Sequence, residues 1–400
     1  MISVAEARQK IVAALTPVAR ETVPVAESLG RVLAMDAVAR ISHPVADVSA
    51  MDGYAVRTAD AVVGASLNVV GESAAGHPWP GTVGAGQAAR IFTGAYVPAG
   101  ADAVVIQEDT EATGDTVAVK EAAIQGRHIR PAAQDFKTGE MVLPAPKRLT
   151  FRDVGLLAAM NLPEIEVFRR PRVAVLSTGD EVVMPGDPVA YGQLVSANGP
   201  GLCAFVRHHG GEAIHLGVAK DDETSLRALA ESATGVDMIV TSGGVSVGDH
   251  DLIGSVLGRA GLDVGFHKIA MRPGKPLMFG TFKATPFMGL PGNPVSAMVC
   301  AILYLAPALA RLQGLPGHAP ATTSVMLAAS IKANDKREDY LRATLARDSS
   351  GTLTATPYAK QDSAMLTTLA RADALIVRPP FAPEAKPGDY VPAIIMSTDI

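Results

Sequence analysis

RVAVLSTGDE, residues 172–181, decides the fold: an apolar run stops abruptly at two hydroxyls, a glycine and two acids. The pattern recurs downstream. Strand-like runs at 213–219, 236–241 and 264–270 alternate with helix-like segments near 199–209, 222–233 and 249–260. Short apolar strands separated by helices of that length predict an α/β unit with a parallel sheet covered on both faces. The acids Asp221, Asp222 and Glu223 open the second of these helices, where a helix N-terminus favours negative charge.

In such sheets, ligands bind beyond the carboxyl ends of the strands. The segments that follow the strands read STGDE (177–181), AKDD (219–222), TSGGVSVGDHD (241–251), MRPGKP (271–276) and GLPGNPVS (289–296). Gly243 and Gly244 allow close backbone approach to an oxyanion. Glu181, Asp221, Asp222, Asp249 and Asp251 offer hard oxygen ligands for a magnesium-like cation. Arg272 and Lys275 offer positive charge for an anion. Pro291 and Pro294 stiffen a turn around Gly292 and Asn293. Singly, each is weak: a carboxylate after a strand is more often a helix cap than a ligand. Their convergence on one sheet edge points to a phosphorylated or adenylylated substrate.

Outward from this core the rhythm changes. Residues 1–40 read as broken helices, with Ala5, Ile11, Leu15 and Val18 at spacings compatible with one face. Residues 41–136 are strand-like runs punctuated by turns such as GHPWPGTVGAG (76–86), and a helical pattern returns in 137–170 near VGLLAAM (154–160). After 320, apolar runs at 323–331, 340–346, 353–357, 374–377 and 390–396 predict a small β-barrel or sandwich. The expected domains are thus a helical linker (1–40 with 137–170), a β-rich domain (41–136), the α/β domain (171–320) and a C-terminal β-barrel (321–400).

Composition narrows the class. The 400 residues are 48% hydrophobic and 19% charged, enough for several packed cores, with a formal net charge of -5. No basic stripe appears, which disfavours nucleic acid. Cys203 and Cys300 lie in apolar stretches without a CxxC pair, so nothing implies a zinc site or an oxidising compartment. The N-terminus lacks the apolar core of a signal peptide. The uncharged run Val295–Ala310 is shorter than the roughly 20 residues a span requires, and a buried helix is expected there. A cytoplasmic protein without a membrane partner is expected.

Gly244-Val-Ser246-Val-Gly248 fits the GxSxG elbow of hydrolases, but the strand before it should stop near Thr241, too early for an elbow serine. No HGGG-type oxyanion segment accompanies it, and GxxxxGK[ST], GxGxxG after a strand, and HExxH are absent.

In ordered combination, MDGYAVR (51–57), IFTGAYVPAGADAVV (91–105), STGDE, TSGGVSVGDHD, RPGKP (272–276) and LPGNPVSA (290–297) closely resemble the molybdopterin molybdenumtransferase (molybdenum insertase) family. The resemblance implies a central molybdopterin-binding α/β domain within an elongated four-domain homodimer. It implies conversion of adenylylated molybdopterin and molybdate to molybdenum cofactor and AMP, with Mg2+ or another divalent cation. Catalytic roles would fall to Asp52, Thr93, Glu181, Asp221 and Asp251, and metal ligation to Glu181, Asp221 and Asp251. Gly243, Gly244 and Ser246 match the loop holding the pterin nucleotide, and Pro291, Gly292 and Asn293 the stiff loop beside it. Arg272, Lys275 and Ser296 match the anion site, which Arg342 and Ser363 complete. Residue 272 is Arg where many relatives carry Lys, a change that bears on oxyanion selectivity. Asp52 and Thr93 would serve the cleft of the partner subunit. An adenylyltransferase and chaperones of apo-molybdoenzymes are the implied protein partners. Two alternatives are weighed: a molybdopterin adenylyltransferase, which shares the sheet and the SerGlyGly loop but is a single small domain and leaves 41–136 and 321–400 unexplained, and a gephyrin-like scaffold or carrier of the same fold without turnover, which has no need of the pocket acids. Molybdate and tungstate differ too little for sequence to separate them.

Overall fold

The computed structural model describes residues 1–245 and 252–396. The chain divides into two compact units, Met1–Glu21 with Phe168–Ile400, and Thr22–Val167.

The first unit opens with helix α1 (Val4–Ala13), capped by the Ser3 hydroxyl, which accepts the Glu6 N–H at 3.1 Å. Its buried face is Val4, Ala7 and Ile11, with Ala5 exposed and Leu15 and Val18 buried beyond the helix end. Pro17 prevents the helix from running on. The α/β elements follow: β1 (Arg172–Thr178), α2 (Asn198–His208), β2 (Glu212–Ala219), α3 (Glu223–Ser232), β3 (Met238–Ser242), α4 (Leu252–Arg259), β4 (Leu262–His267), β5 (Met278–Phe282), β6 (Thr285–Leu290) and α5 (Pro294–Cys300). The sheet order is β2-β1-β3-β6-β5-β4. β1 is parallel to β2 and β3, and β3 to β6, while β5 runs antiparallel to both neighbours. Every residue of β1 after Arg172 is buried, as a strand covered on both faces requires. One face packs Val173 and Val175 with Leu202 and Val206 of α2 and Val295 and Val299 of α5. The other packs Ala174 and Leu176 with Leu226 of α3 and Val256 and Leu257 of α4.

Helix α5 continues through a π-helical stretch, Ala301–Leu305, into Ala306–Leu312. Pro307 brings no N–H, so the ladder widens locally just before it. The 19-residue run Pro294–Leu312 is long and apolar enough to cross a membrane by composition, yet 72% of it is buried within the protein. It is the core helix expected from sequence.

The C-terminal segment closes a five-stranded barrel in the order β8-β9-β7-β11-β10, with β10 pairing back to β8: β7 is Thr323–Leu327, β8 Glu338–Arg347, β9 Leu353–Pro357, β10 Ala374–Arg378 and β11 Tyr390–Ile395. Closure leaves no free edge among these strands.

The second unit is mostly sheet. Where sequence suggested helices across the linker segments, the structure has, beyond α1, strands Arg20–Pro24, Val32–Leu33, Lys147–Arg148 and Glu164–Phe168 in one sheet, a 3-10 turn at Val25–Glu27, and the α-helix Phe151–Ala159, begun by a Thr150/Asp153 capping box. The short apolar pairs between prolines and turns are too brief to nucleate helices and pair across the sheet instead. A six-stranded sheet fills the 53–119 region, in the order Ala103–Ile106, Gly53–Val56, Gln87–Ile91, Ser66–Ser73, Thr116–Val119, Thr110–Thr113.

Candidate functional site

The sheet reverses its direction of winding between β1 and β3: the chain leaves β1 for β2 on one side and returns to β3 on the other. Loops at such a switch diverge and leave a crevice. A cavity of about 880 Å3 opens there. Glu181, Asp221, Gly243, Gly244, Pro291, Gly292 and Asn293 line it, so seven of the residues singled out from sequence meet in one place.

Glycine is required by geometry at 243. It has φ +95, and a Cβ there would lie 2.8 Å from Thr178 Oγ1 and 2.9 Å from its carbonyl oxygen. At Gly244, φ +66, an added Cβ would lie 2.9 Å from Ile253 Cγ1 and 2.9 Å from Thr178 Oγ1, so glycine is required there too. Asn198, in the first turn of α2, ties the loops together, its amide donating to Ser242 Oγ and to the Gly292 carbonyl, both at 2.7 Å. α2 has no side-chain cap, and Ala197 and Asn198 line the cavity, so its free N–H groups lie at the wall.

Beneath lies a polar floor. Among the described residues, Ser177 Oγ, Thr178 Oγ1, Ser196 Oγ, Thr241 Oγ1 and Asn198 Oδ1 are buried without a hydrogen-bond partner. Buried polar atoms are ordinarily paired, and leaving one unpaired costs about 1–3 kcal/mol. With the exception of Thr241, these residues line the cavity, so a polar ligand or water is the natural partner. Sequence reasoning quoted Ser177 and Thr178 but gave no role to them or to Ser196 and Asn198. A hydroxyl-and-amide run just before a helix was the available signal.

The acids sit at one end. Asp180 Oδ1 accepts the Asp221 N–H at 3.0 Å. The Asp221 carboxyl is held above the usual carboxylate range, first by burial, then by the negative charges of Glu181 and Asp180. Asp222 instead caps α3, accepting the Ser225 N–H at 2.8 Å. Among the described residues no three His, Cys, Asp or Glu side chains converge on a metal position. Ser246, Asp249 and Asp251 lie outside the described residues, and with them the serine and last glycine of the GxSxG match.

The cationic loop departs from expectation. β4 is the far edge strand, three positions from β3, and only Pro276 of MRPGKP lines the cavity. Met271–Arg272 pairs with Glu338–Asp339 of β8, and the Arg272 guanidinium is bound by Asp339, with Asp335 at 3.6 Å. Lys275 is exposed. Ser296 is buried in the first turn of α5. The Ser363 carbonyl accepts the Val295 N–H at 3.0 Å, seating residues 361–366 beside that turn, and Ala364 and Leu366 line the cavity. Arg342 is buried, 1% exposed, behind this strap. Its Nε donates to Gln361 Oε1 at 3.2 Å and its Nη1 to the Met365 carbonyl at 3.3 Å. Burial lowers its pKa, and no carboxylate reaches it as an ion pair among the described residues.

The second unit holds a separate constellation. Asp52 Oδ1 accepts the Thr93 N–H at 2.7 Å and the Thr93 hydroxyl at 2.8 Å. These bonds, backbone first, hold its carboxyl below the ordinary range, with help from Arg90. Arg90 is fixed between the Tyr54 and Phe92 rings, 5.1 and 4.7 Å from their centroids. Gly53 is obligatory, because a Cβ would meet the Val105 carbonyl oxygen at 2.0 Å.

Three family models cover most of the chain: MoeA N-terminal region (domain I and II) over residues 2–161, probable molybdopterin binding domain over 174–311, and MoeA C-terminal region (domain IV) over 324–396. The chain is 39% identical over 326 residues to molybdopterin molybdenumtransferase of Nostoc sp., covering 79% of this chain and 75% of the relative. It is 39% identical over 350 residues to molybdopterin molybdenumtransferase 2 of Mycobacterium tuberculosis, covering 84% and 86%. A crystal structure of the molybdopterin biosynthesis MoeA protein from Pyrococcus horikoshii superposes with a TM-score of 0.85 at 33% identity, over 99% of both chains. With the fold, the switch-point cavity and relatives of this similarity in agreement, the chain belongs to the molybdopterin molybdenumtransferase family and is a transferase of molybdenum-cofactor biosynthesis.

Proposed function

We propose that this chain is a molybdenum insertase, which takes adenylylated molybdopterin and molybdate to molybdenum cofactor and AMP in the switch-point cavity. The observation that carries this reading is the row of buried, unpartnered hydroxyls beside a carboxylate cluster. A ligand with both a hydrogen-bonding heterocycle and a phosphate satisfies the first and, through a cation, relieves the second. Gly243 and Gly244 let the backbone approach the phosphate, and the start of α2 faces it with free N–H groups.

A divalent cation fits the donors, since Asp221 is destabilised by neighbouring acids that a positive charge would relieve. Glu181 and Asp221 would hold it together with Asp251. Bound there, it supplies neutralisation of the phosphate joining AMP to the pterin. The described residues do the positioning: Asn198 fixes the loops after β3 and β6 against each other, and the stiff 291–294 turn forms part of the wall beside it. For molybdate, the supporting feature is Arg342, a buried guanidinium without a carboxylate partner among the described residues; a charge so placed favours an anion nearby. Lys275, Ser296 and Ser363 belong to the same reading. Arg272 joins it only by sharing its fork with Asp339. A homodimer in which Asp52 and Thr93 serve the partner subunit's cavity, in the cytoplasm, with an adenylyltransferase delivering substrate and chaperones of apo-molybdoenzymes receiving product, completes the proposal.

The test is turnover by Glu181→Gln beside the native chain, with adenylylated molybdopterin, magnesium and molybdate. The variant should bind the adenylylated substrate and release AMP at least about a hundredfold more slowly. Release at the native rate would remove the carboxylates from the mechanism.

A further inference from the structure

Gln361 was not among the residues picked from sequence, yet its side chain is the most heavily used in the strap. Its Oε1 accepts the Arg342 backbone N–H at 3.0 Å and the Arg342 Nε–H at 3.2 Å. Its amide nitrogen donates to the Arg342 carbonyl at 3.0 Å and to the Tyr358 carbonyl at 2.9 Å. One side chain therefore fixes main chain and guanidinium of Arg342 together, and anchors the segment whose Ala364 and Leu366 line the cavity.

The chemistry of this clamp matters more than its strength. A guanidinium 1% exposed would ordinarily be met by a carboxylate. Here the position that meets it carries an amide of the same shape as a glutamate. The amide orients Arg342 and leaves its charge uncompensated. Asp362, next to Gln361 in the chain, is exposed and makes no ion pair with Arg342 among the described residues; its charge only partly offsets the effect of burial on that guanidinium.

We propose that Gln361 is a positioning residue that keeps the Arg342 charge unspent for an oxyanion on the barrel side of the cavity. A glutamate at the same place would form an internal ion pair and lower the local positive potential, with little change of shape. The inference rests on the insertase reading, because the oxyanion is the molybdate of that reaction.

The experiment compares native protein, Gln361→Glu and Gln361→Met. It reads the molybdate concentration that half-saturates AMP release, kcat, and the rise in thermal midpoint caused by molybdate alone. Met is neutral and of similar length but makes none of the four hydrogen bonds, so it loosens the clamp and leaves the charge unspent. Glu keeps the length and the acceptor oxygen on the Arg342 N–H and Nε–H, loses the two bonds that the amide nitrogen donates, and spends the charge. The expected order of molybdate affinity is native, then Met, then Glu, with Glu weaker than native by at least about fivefold. Binding of adenylylated molybdopterin should stay within about twofold in all three, because an electrostatic loss on the barrel side leaves the polar floor intact. Glu at or above Met in molybdate affinity overturns the charge argument and leaves the insertase reading standing. A native chain with no response to molybdate in either readout overturns both. The thermal midpoint without ligand shows that each variant is folded.

Discussion

Two carboxylates with opposite shifts mark the chemistry at the scale of single residues. Asp221 is raised by burial and by Glu181 and Asp180, so its ionised form works against the fold. That penalty is absent in acid and appears as pH rises through the raised pKa. Asp221→Asn should therefore raise the thermal midpoint of metal-free protein near neutral pH while abolishing turnover; a lower midpoint would mean that Asp221 is a structural acceptor. Asp52 behaves in the other sense. Its pKa is depressed by Thr93, so it contributes stability above the ordinary carboxylate range that is lost as pH falls through the depressed value. The gap in thermal midpoint between native protein and Asp52→Asn should narrow as pH drops below about 4. A gap independent of pH would show that the bonds to Thr93 do not depend on charge.

At the scale of elements, the glycine pair after β3 is the sharpest case. Gly243→Ala meets Thr178 at 2.8 Å with φ +95, whereas Gly351→Ala, at φ +82, meets nothing within 4 Å. The second should cost about 1 kcal/mol for backbone strain alone, and the first more than about 2 kcal/mol in denaturant unfolding, with weakened binding of adenylylated substrate. Equal costs would mean that the loop after β3 yields easily. This element was legible in sequence because apolar runs ending in small and acidic residues map directly onto strand ends. The linker was not. Its two-residue strands, Val32–Leu33 and Lys147–Arg148, take their pairing from residues more than a hundred positions away, and no local periodicity records that. The placement of Arg272 was hidden for the same reason: the loop after β4 was expected at the cavity, but pairing with β8 draws it to the barrel. The strap carrying Gln361 held only a loose signal around Ser363, with nothing to mark its amide.

For the whole molecule, the account requires both units of the chain and more than one copy. If the active assembly is a homodimer with shared sites, mixing inactive Asp52→Ala and inactive Glu181→Ala proteins, after exchange of subunits, should restore roughly a quarter of native activity, since random pairing gives half heterodimers with one intact site each. No recovery, with exchange verified by mass, would place Asp52 and Glu181 in the same subunit's site. The family and the α/β core could be read from the ordered loops alone, because those loops report the ends of one sheet. The proposed homodimer rests on the resemblance alone, because intersubunit surfaces leave no comparable spacing in a single chain.

The switch-point cavity should turn over adenylylated molybdopterin in a molybdate-dependent reaction. The measurement is AMP released per cofactor formed by purified native protein with magnesium, with and without molybdate, the cofactor being counted by reconstitution of an apo-molybdoenzyme. AMP and active cofactor should form in equal amounts, and neither without molybdate. Tight binding of the adenylylated pterin with no AMP released under any of these conditions would contradict it and point to a carrier or scaffold of the same fold.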